Sequence, residues 1–258
     1  MRLADFSSFY QGRIVDALTA YDAQLMQPIY QTHHKRRRAI LLLHGFSSTP
    51  AVFREFSPFL SHYDALFIPA LPGHASTLAD FSRLNAETLL EYVGTLGLKL
   101  TQDFDEVTVV GLSMGGVLAY HLACEVKLHH LYLLAPAFDL NISSDLIKYL
   151  CHFLHTLGFR YLPNRAGSMQ ASAYYEIAYQ YLPLTAIQAL MALIKQVKVN
   201  TAPCPTTLFL GEHDSVIDTK AVAKRFLHQT QVATKWLRHS AHVLPLDADK
   251  DIILAALK

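Results

Sequence analysis

The 258-residue chain is 52% hydrophobic and 11% aromatic, enough to bury one large α/β core or two small ones. Its formal net charge of +1 excludes the strong field that a nucleic acid or another polyanion would require of a partner. The three cysteines, Cys124, Cys151 and Cys204, are odd in number and far apart, which excludes a disulfide framework and leads us to expect a reducing, cytoplasmic setting.

There are 14 histidines, but none stands at metal-site spacing. His33-His34 and His129-His130 are adjacent pairs whose side chains point in different directions, so no metal is expected. The opening MRLADFSSFYQG holds no apolar run of signal-peptide length. No stretch reaches the roughly 18 apolar residues of a membrane span.

In chain order, residues 1–38 read as an N-terminal helical extension. Ile14, Val15, Leu18, Tyr21, Leu25 and Met26 recur at helical spacing, and Pro28 stops the run. The basic run HHKRRR at 33–38 reads as a solvated edge before a buried strand. Then come apolar runs at 39–46, 65–74, 106–116, 131–137 and 206–214, each ending in Gly, Pro, His or Asp and separated by helical stretches. That alternation predicts an α/β fold whose mostly parallel central sheet carries helices on both faces, with polar residues gathered at the carboxyl ends of the strands. We assign 39–138 and 203–258 to this core.

Residues 139–202 break the rhythm and read as a helical cap without strands. One helix is expected from a Ser144 cap through Leu146, Ile147, Leu150, Phe153, Leu154 and Leu157 to Gly158. A second carries Ile187, Leu190, Met191, Ile194 and Val197, and Tyr174, Tyr175, Tyr179 and Tyr181 lie between the two. Both apolar faces are expected to bury against the sheet edge as the wall of a pocket.

The chemistry centres on Gly111-Leu112-Ser113-Met114-Gly115-Gly116, which follows the strand Val107 to Val110 and precedes the helical run Val117 to Ala123. A serine on such a turn is held in a strained conformation with its hydroxyl exposed, and small residues two positions either side avoid a collision across the turn. A serine nucleophile needs a base, and the base an orienting acid, in the order Ser, Asp, His. Asp214 ends the run Thr207 to Leu210, and His242 follows the run Thr234 to Leu237. His239 competes with His242 and Asp218 with Asp214, while His213 is adjacent to the acid in sequence. Oxyanion donors are expected from the backbone N–H of Met114 and of Phe46, with His44 and Gly45 letting that loop approach the substrate.

Together LLLHGF, PGH, GLSMGG, GEHD and SAHVLPLD resemble the bacterial carboxylesterases and monoacylglycerol lipases of the α/β-hydrolase superfamily over 39–138 and 203–258. The most telling segment is His242-Val243 followed by Leu246-Asp247. The resemblance implies an α/β-hydrolase fold with Ser113, Asp214 and His242 as triad, Phe46 and Met114 as oxyanion donors, and no cofactor. The sequence departs from the family pattern at Ala75, where glycine is usual, and in its long N-terminal segment. We expect a carboxylesterase or monoacylglycerol lipase-like enzyme for short- to medium-chain acyl esters. The alternatives are a thioesterase, lysophospholipase or C–C bond hydrolase using the same triad, and a non-catalytic binding protein on this fold.

Overall fold

The computed structural model describes residues 9–11, 18–33 and 36–258. The chain begins with β1 (Phe9–Gln11), α1 (Ala20–Leu25), β2 (Ile29–Thr32), β3 (Arg38–Leu43) and β4 (Ala65–Ile68). Next are α2 (Leu78–Phe81), α3 (Ala86–Asp103), β5 (Glu106–Leu112), α4 (Met114–Glu125) and β6 (His130–Leu134). An insertion follows with α5 (Ser144–Thr156), β7 (Tyr161–Pro163), β8 (Ile177–Tyr179), β9 (Tyr181–Pro183) and α6 (Leu184–Gln196). The last third returns to the core with β10 (Thr206–Gly211), α7 (Thr219–Arg225), β11 (Val232–Leu237) and α8 (Lys250–Ala256).

The expected apolar runs are strands of one seven-stranded sheet in the order β11-β10-β6-β5-β3-β4-β2. All neighbours are parallel except β2 and β4. Residues Ala39 to Leu43 are fully buried, as strands covered on both faces must be. The order reverses at β3: the chain passes outward to β4 and then returns to β5 on the other side. Loops leaving β3 and β5 therefore diverge and leave a crevice at their carboxyl ends.

The N-terminal segment differs from the expected long helix. Ile14 and Val15 lie outside the described residues, and α1 begins only at the Thr19 cap, where Thr19 and Asp22 satisfy each other's backbone N–H. Ile29–Thr32, expected to be helical extension, is instead the antiparallel edge strand of the main sheet. The extension reaches across the molecule. β1 pairs with β8, and Tyr175 donates its hydroxyl to the buried Asp22 at 2.6 Å. In the basic run, His34 and Lys35 lie outside the described residues. Arg36 and Arg38 face Asp103 and Glu106 at 3.8 Å, as a solvated edge does.

The insertion also departs from expectation, because it contains three short strands. It is fastened to the end of the chain by Asp247, a buried carboxylate. Asp247 accepts the backbone N–H of Gln170 and Ala171 from the insertion and of Ala241 and Ala248 from its own side. Removing it strands the buried N–H of Ala241 and three part-buried ones at once, so Asp247→Ala should cost roughly 3 kcal/mol in urea unfolding. A loss below about 1 kcal/mol would show that these bonds do not hold the insertion down.

Beneath the first crevice loop, His44 accepts the N–H of Leu71 at Nε2, which leaves its proton on Nδ1 facing the Gly45 carbonyl. His74 packs edge-on against it, between Phe46 and Phe81, and Ala75 follows at φ 50°, in the region where the family's glycine is at ease. Burial lowers His44 to about 3 and His74 to about 4. Each therefore stabilises the fold fully above its unfolded value of about 6.5 and loses that contribution as pH falls toward the folded value. Stability should decline from about pH 7 to about pH 5, and His74→Phe should flatten the decline by up to about 1.4 kcal/mol per pH unit. An unchanged slope in urea titrations across that range would remove His74 as a cause.

Candidate active site

β5 ends at Leu112 and α4 starts at Met114, so the single residue between them must reverse the chain. That residue is Ser113, with φ 53° and ψ −115°, a conformation that costs a non-glycine residue of order 1–3 kcal/mol. The turn is tight enough that a Cβ on Gly115 would lie 2.1 Å from the Leu43 carbonyl oxygen, and one on Gly111 would lie 2.2 Å from that of Gly115. Neither position admits a side chain without moving backbone. Four backbone bonds lock the strained residue: Ser113 N–H to Leu134 O, and the N–H groups of Gly116, Val117 and Ala137 to Ser113 O.

β10 and β11 deliver the other two sequence-predicted groups to the same place. His242 Nε2 lies 2.9 Å from Ser113 Oγ, and His242 Nδ1 lies 2.8 Å from Asp214 Oδ2. The second oxygen of Asp214 accepts the N–H groups of Val216 and Ile217 at 2.7 and 3.0 Å. Burial alone would raise the Asp214 carboxyl. The His242 charge and hydrogen bond, with the Ile217 and Val216 amides, outweigh it and hold the group below the usual carboxylate range. The carboxylate is thus ionised and its orientation fixed, and it keeps the imidazole proton on Nδ1, leaving Nε2 free to accept.

The competitors are engaged elsewhere. Asp218 caps α7 by accepting the Ala221 N–H. His239 and His213 are exposed, and the N–H of His239 is tied to Asp249. Of the residues expected in the loop after β3, Gly45 and Phe46 border the cavity that contains Ser113. His44, read as substrate-binding, instead lies wholly buried below the loop and supports it. Met114 opens α4, where first-turn N–H groups have no helical acceptor, and among the described residues neither its N–H nor that of Phe46 donates to another group.

The cavity above Ser113 has a volume of about 670 Å³. Ile187, Leu190 and Met191 of α6 line it as expected, with Leu140, Leu182 and Val216. The expectation for α5 needs correction. Of its six apolar residues only Ile147 reaches the cavity, and Leu146, Leu150, Phe153 and Leu157 face outward. The helix also starts one residue earlier than expected, with Ser143 as its cap.

Sequence reasoning missed the polar part of this cavity. Glu176, from the tyrosine-rich stretch, is buried in its wall, its Oε2 accepting the Gly167 N–H at 3.0 Å. Burial raises its carboxyl above the usual value. Asn164 and Ser168 line the same wall, and the Ser168 carbonyl receives the N–H of His242 and of Val243. A glutamate among tyrosines carries no periodicity or motif, so only its neighbours in space reveal it.

Comparison with known proteins agrees with this architecture. The chain is 25% identical to a thermostable monoacylglycerol lipase of a Bacillus species over 83% of its own length and 86% of that protein's. It is 24% identical to a carboxylesterase of Bacillus subtilis over 84% and 89%. Among solved structures it superposes on a metagenome-derived lipolytic enzyme of the LipS and LipT pair with a TM-score of 0.74, at 23% identity, covering 90% of this chain and 95% of that one. It also superposes on the Paleococcus ferrophilus monoacylglycerol lipase with a TM-score of 0.69, at 13% identity, covering 90% and 98%. With the sheet order reversing at β3, a strained serine after β5 and a family match that spans residues 40–256, the chain belongs to the alpha/beta hydrolase family.

Proposed function

We propose that this protein is a serine hydrolase that cleaves carboxylic esters of short- to medium-chain acyl groups, of the carboxylesterase or monoacylglycerol lipase kind, through an acyl-enzyme on Ser113. The reading is carried by one observation: the Asp214–His242–Ser113 relay at 2.8 and 2.9 Å, ending on a serine held in a strained turn. The names of the similar proteins support an ester as the bond cleaved. As Ser113 Oγ attacks the ester carbonyl, His242 Nε2 takes its proton, and Asp214 stabilises the imidazolium that forms. The carbonyl oxygen becomes an oxyanion held by the N–H groups of Phe46 and Met114, each such donor being worth roughly 3 kcal/mol. Collapse expels the alcohol, which receives the proton from His242. A water then repeats the sequence on the acyl-enzyme and releases the acid.

In this reading residues 139–202 form the cap of the site. Its Ile187, Leu190 and Met191 face the acyl chain, while Glu176 offers a hydrogen-bond partner to a hydroxylated alcohol, which favours a polyol ester over a simple alkyl one.

Ser113→Ala should lower kcat for an ester by at least about 10⁴-fold with little change in Tm, and His242→Ala should cost about as much, since the two act as a unit. Asp214→Asn should cost less. If a serine-directed phosphonate labelled another residue, or Asp218→Asn proved more damaging than Asp214→Asn, the assignment would fail.

The aliphatic wall sets a second expectation. Each methylene buried there contributes roughly 0.8 kcal/mol, or about fourfold in kcat/KM, until the cavity is full. A p-nitrophenyl ester series should therefore rise and then fall with acyl length. A flat response from acetate to laurate would mean that the acyl chain does not enter this cavity.

A further inference from the structure

Phe46, whose N–H the proposed reaction uses, is followed by Ser47 at φ 59°, a strained conformation that persists only where the surroundings impose it. What imposes it comes from β8. The Ser47 carbonyl accepts the Tyr179 N–H at 3.1 Å, and the Thr49 hydroxyl donates to the Ile177 carbonyl at 3.3 Å. Successive residues of a strand address opposite edges, so Ile177 and Tyr179 face this loop while Ala178, between them, faces β1. β8 is thus held between the loop after β3 on one edge and the N-terminal strand on the other. Side chains repeat the connection. The Phe46 ring centroid lies 5.2 Å from that of Phe81, Phe81 stacks on Tyr179 at 4.4 Å, and Tyr179 meets Phe9 of β1 at 4.1 Å. Phe9, Phe81 and Tyr179 are fully buried. The Tyr179 hydroxyl is anchored too, accepting the Ser76 N–H at 3.2 Å, and Gln180 Nε2 donates to the Phe9 carbonyl at 3.0 Å.

We propose that β1 is a positioning strand for the loop after β3: Phe9, acting through Tyr179 and Phe81, holds the Phe46 N–H where the oxyanion forms. The proposal rests on the ester-hydrolysis reading above. Phe9 lies outside the lining of the cavity, so it acts on the reaction only through the loop. Protein interiors are close-packed, so shortening Phe9 lets Tyr179 and Phe81 relax toward the vacated space and draws Phe46 with them. A donor aimed at the oxyanion reaches its full strength only in the transition state. Misplacing it therefore slows turnover without weakening substrate binding, whereas losing a merely structural contact would lower Tm and leave turnover by the folded protein unchanged.

Steady-state kinetics of the full chain on a soluble p-nitrophenyl ester, well below every variant's Tm, test the proposal. Along Phe9→Leu, Phe9→Val and Phe9→Ala, kcat should fall progressively, by about tenfold or more at Ala, with KM within about twofold. Phe9→Leu, which keeps most of the volume, should retain kcat within about threefold. If Phe9→Ala does not fold, Leu and Val decide in the same way. An alkyl trifluoromethyl ketone reads the oxyanion directly: Ser113 Oγ adds to its carbonyl carbon, the proton passes to His242, and the oxyanion formed occupies the same place. Its Ki should rise by the factor by which kcat/KM falls. The control is Leu100→Ala, buried near the end of α3 at the amino end of β5, which should lower Tm and leave kcat unchanged. The proposal is overturned if the Phe9 variants fold and keep kcat, if the ketone's Ki does not move, or if Leu100→Ala loses as much turnover. Turnover that is absent in the unaltered protein, or that survives Ser113→Ala, sinks the catalytic reading and the proposal with it. A normal unaltered enzyme with silent Phe9 variants sinks the proposal alone.

Discussion

The reversal of the chain at Ser113 is the constraint on which the site depends. A strand and a helix meet there with one residue between them, and that residue sits at φ 53°, where a side chain is strained. The cost is met by its surroundings: β5 buried from Val107 to Leu112 below, the β3 backbone pressed against Gly115, and hydrogen bonds to the Leu134 carbonyl and from the Ala137 N–H. The same crowding fixes where the hydroxyl points. It also brings the loop after β3 against the start of α4, so the N–H groups of Phe46 and Met114 come from two elements whose spacing the sheet sets.

Two buried carboxyls near that serine differ in their chemistry because their partners differ. Asp214 is surrounded by two backbone N–H groups and the imidazole of His242, and the anion is favoured in spite of burial. Glu176 has the Gly167 N–H, with burial dominating, and its proton is held more tightly. One carboxyl can therefore orient a cationic histidine while the other offers hydrogen bonds to a neutral group. Both are held by backbone amides, which cannot rotate away as side chains can.

The insertion is coupled to this centre through short contacts rather than through its helices alone. The Ser168 carbonyl bonds the backbone of His242, Asp247 collects amides from both sides, and β8, paired with β1, sits against the loop after β3 through the Tyr179 N–H and the Ser47 carbonyl. The insertion, the loop that carries His242 and the loop after β3 are thus parts of one hydrogen-bonded body.

Much of this was legible in the order of residues. Continuous apolar runs ending in Gly, His or Asp report buried parallel strands because burial on both faces removes the polar alternation, and the serine elbow reports itself because only small neighbours fit its turn. Position and chain order favour His242 over His239 and Asp214 over Asp218 in the sequence, but which side chain the sheet carries to Ser113, and which is spent on capping α7 or left in solvent, is visible only in space. Strands of three or four residues, such as β2 and β8, have no periodicity to read, and their pairing partners lie far away in sequence. The apolar pattern of α5 likewise stated that the helix has faces to bury, but not which one meets the protein. The sequence alone determined what is encoded between near neighbours: strand cores, the strained turn and the helix stripes. Tertiary structure alone decided which groups from distant segments meet in Glu176, Asp247 and Ser168, because a hydrogen bond depends on distance in space and leaves no mark on spacing along the chain.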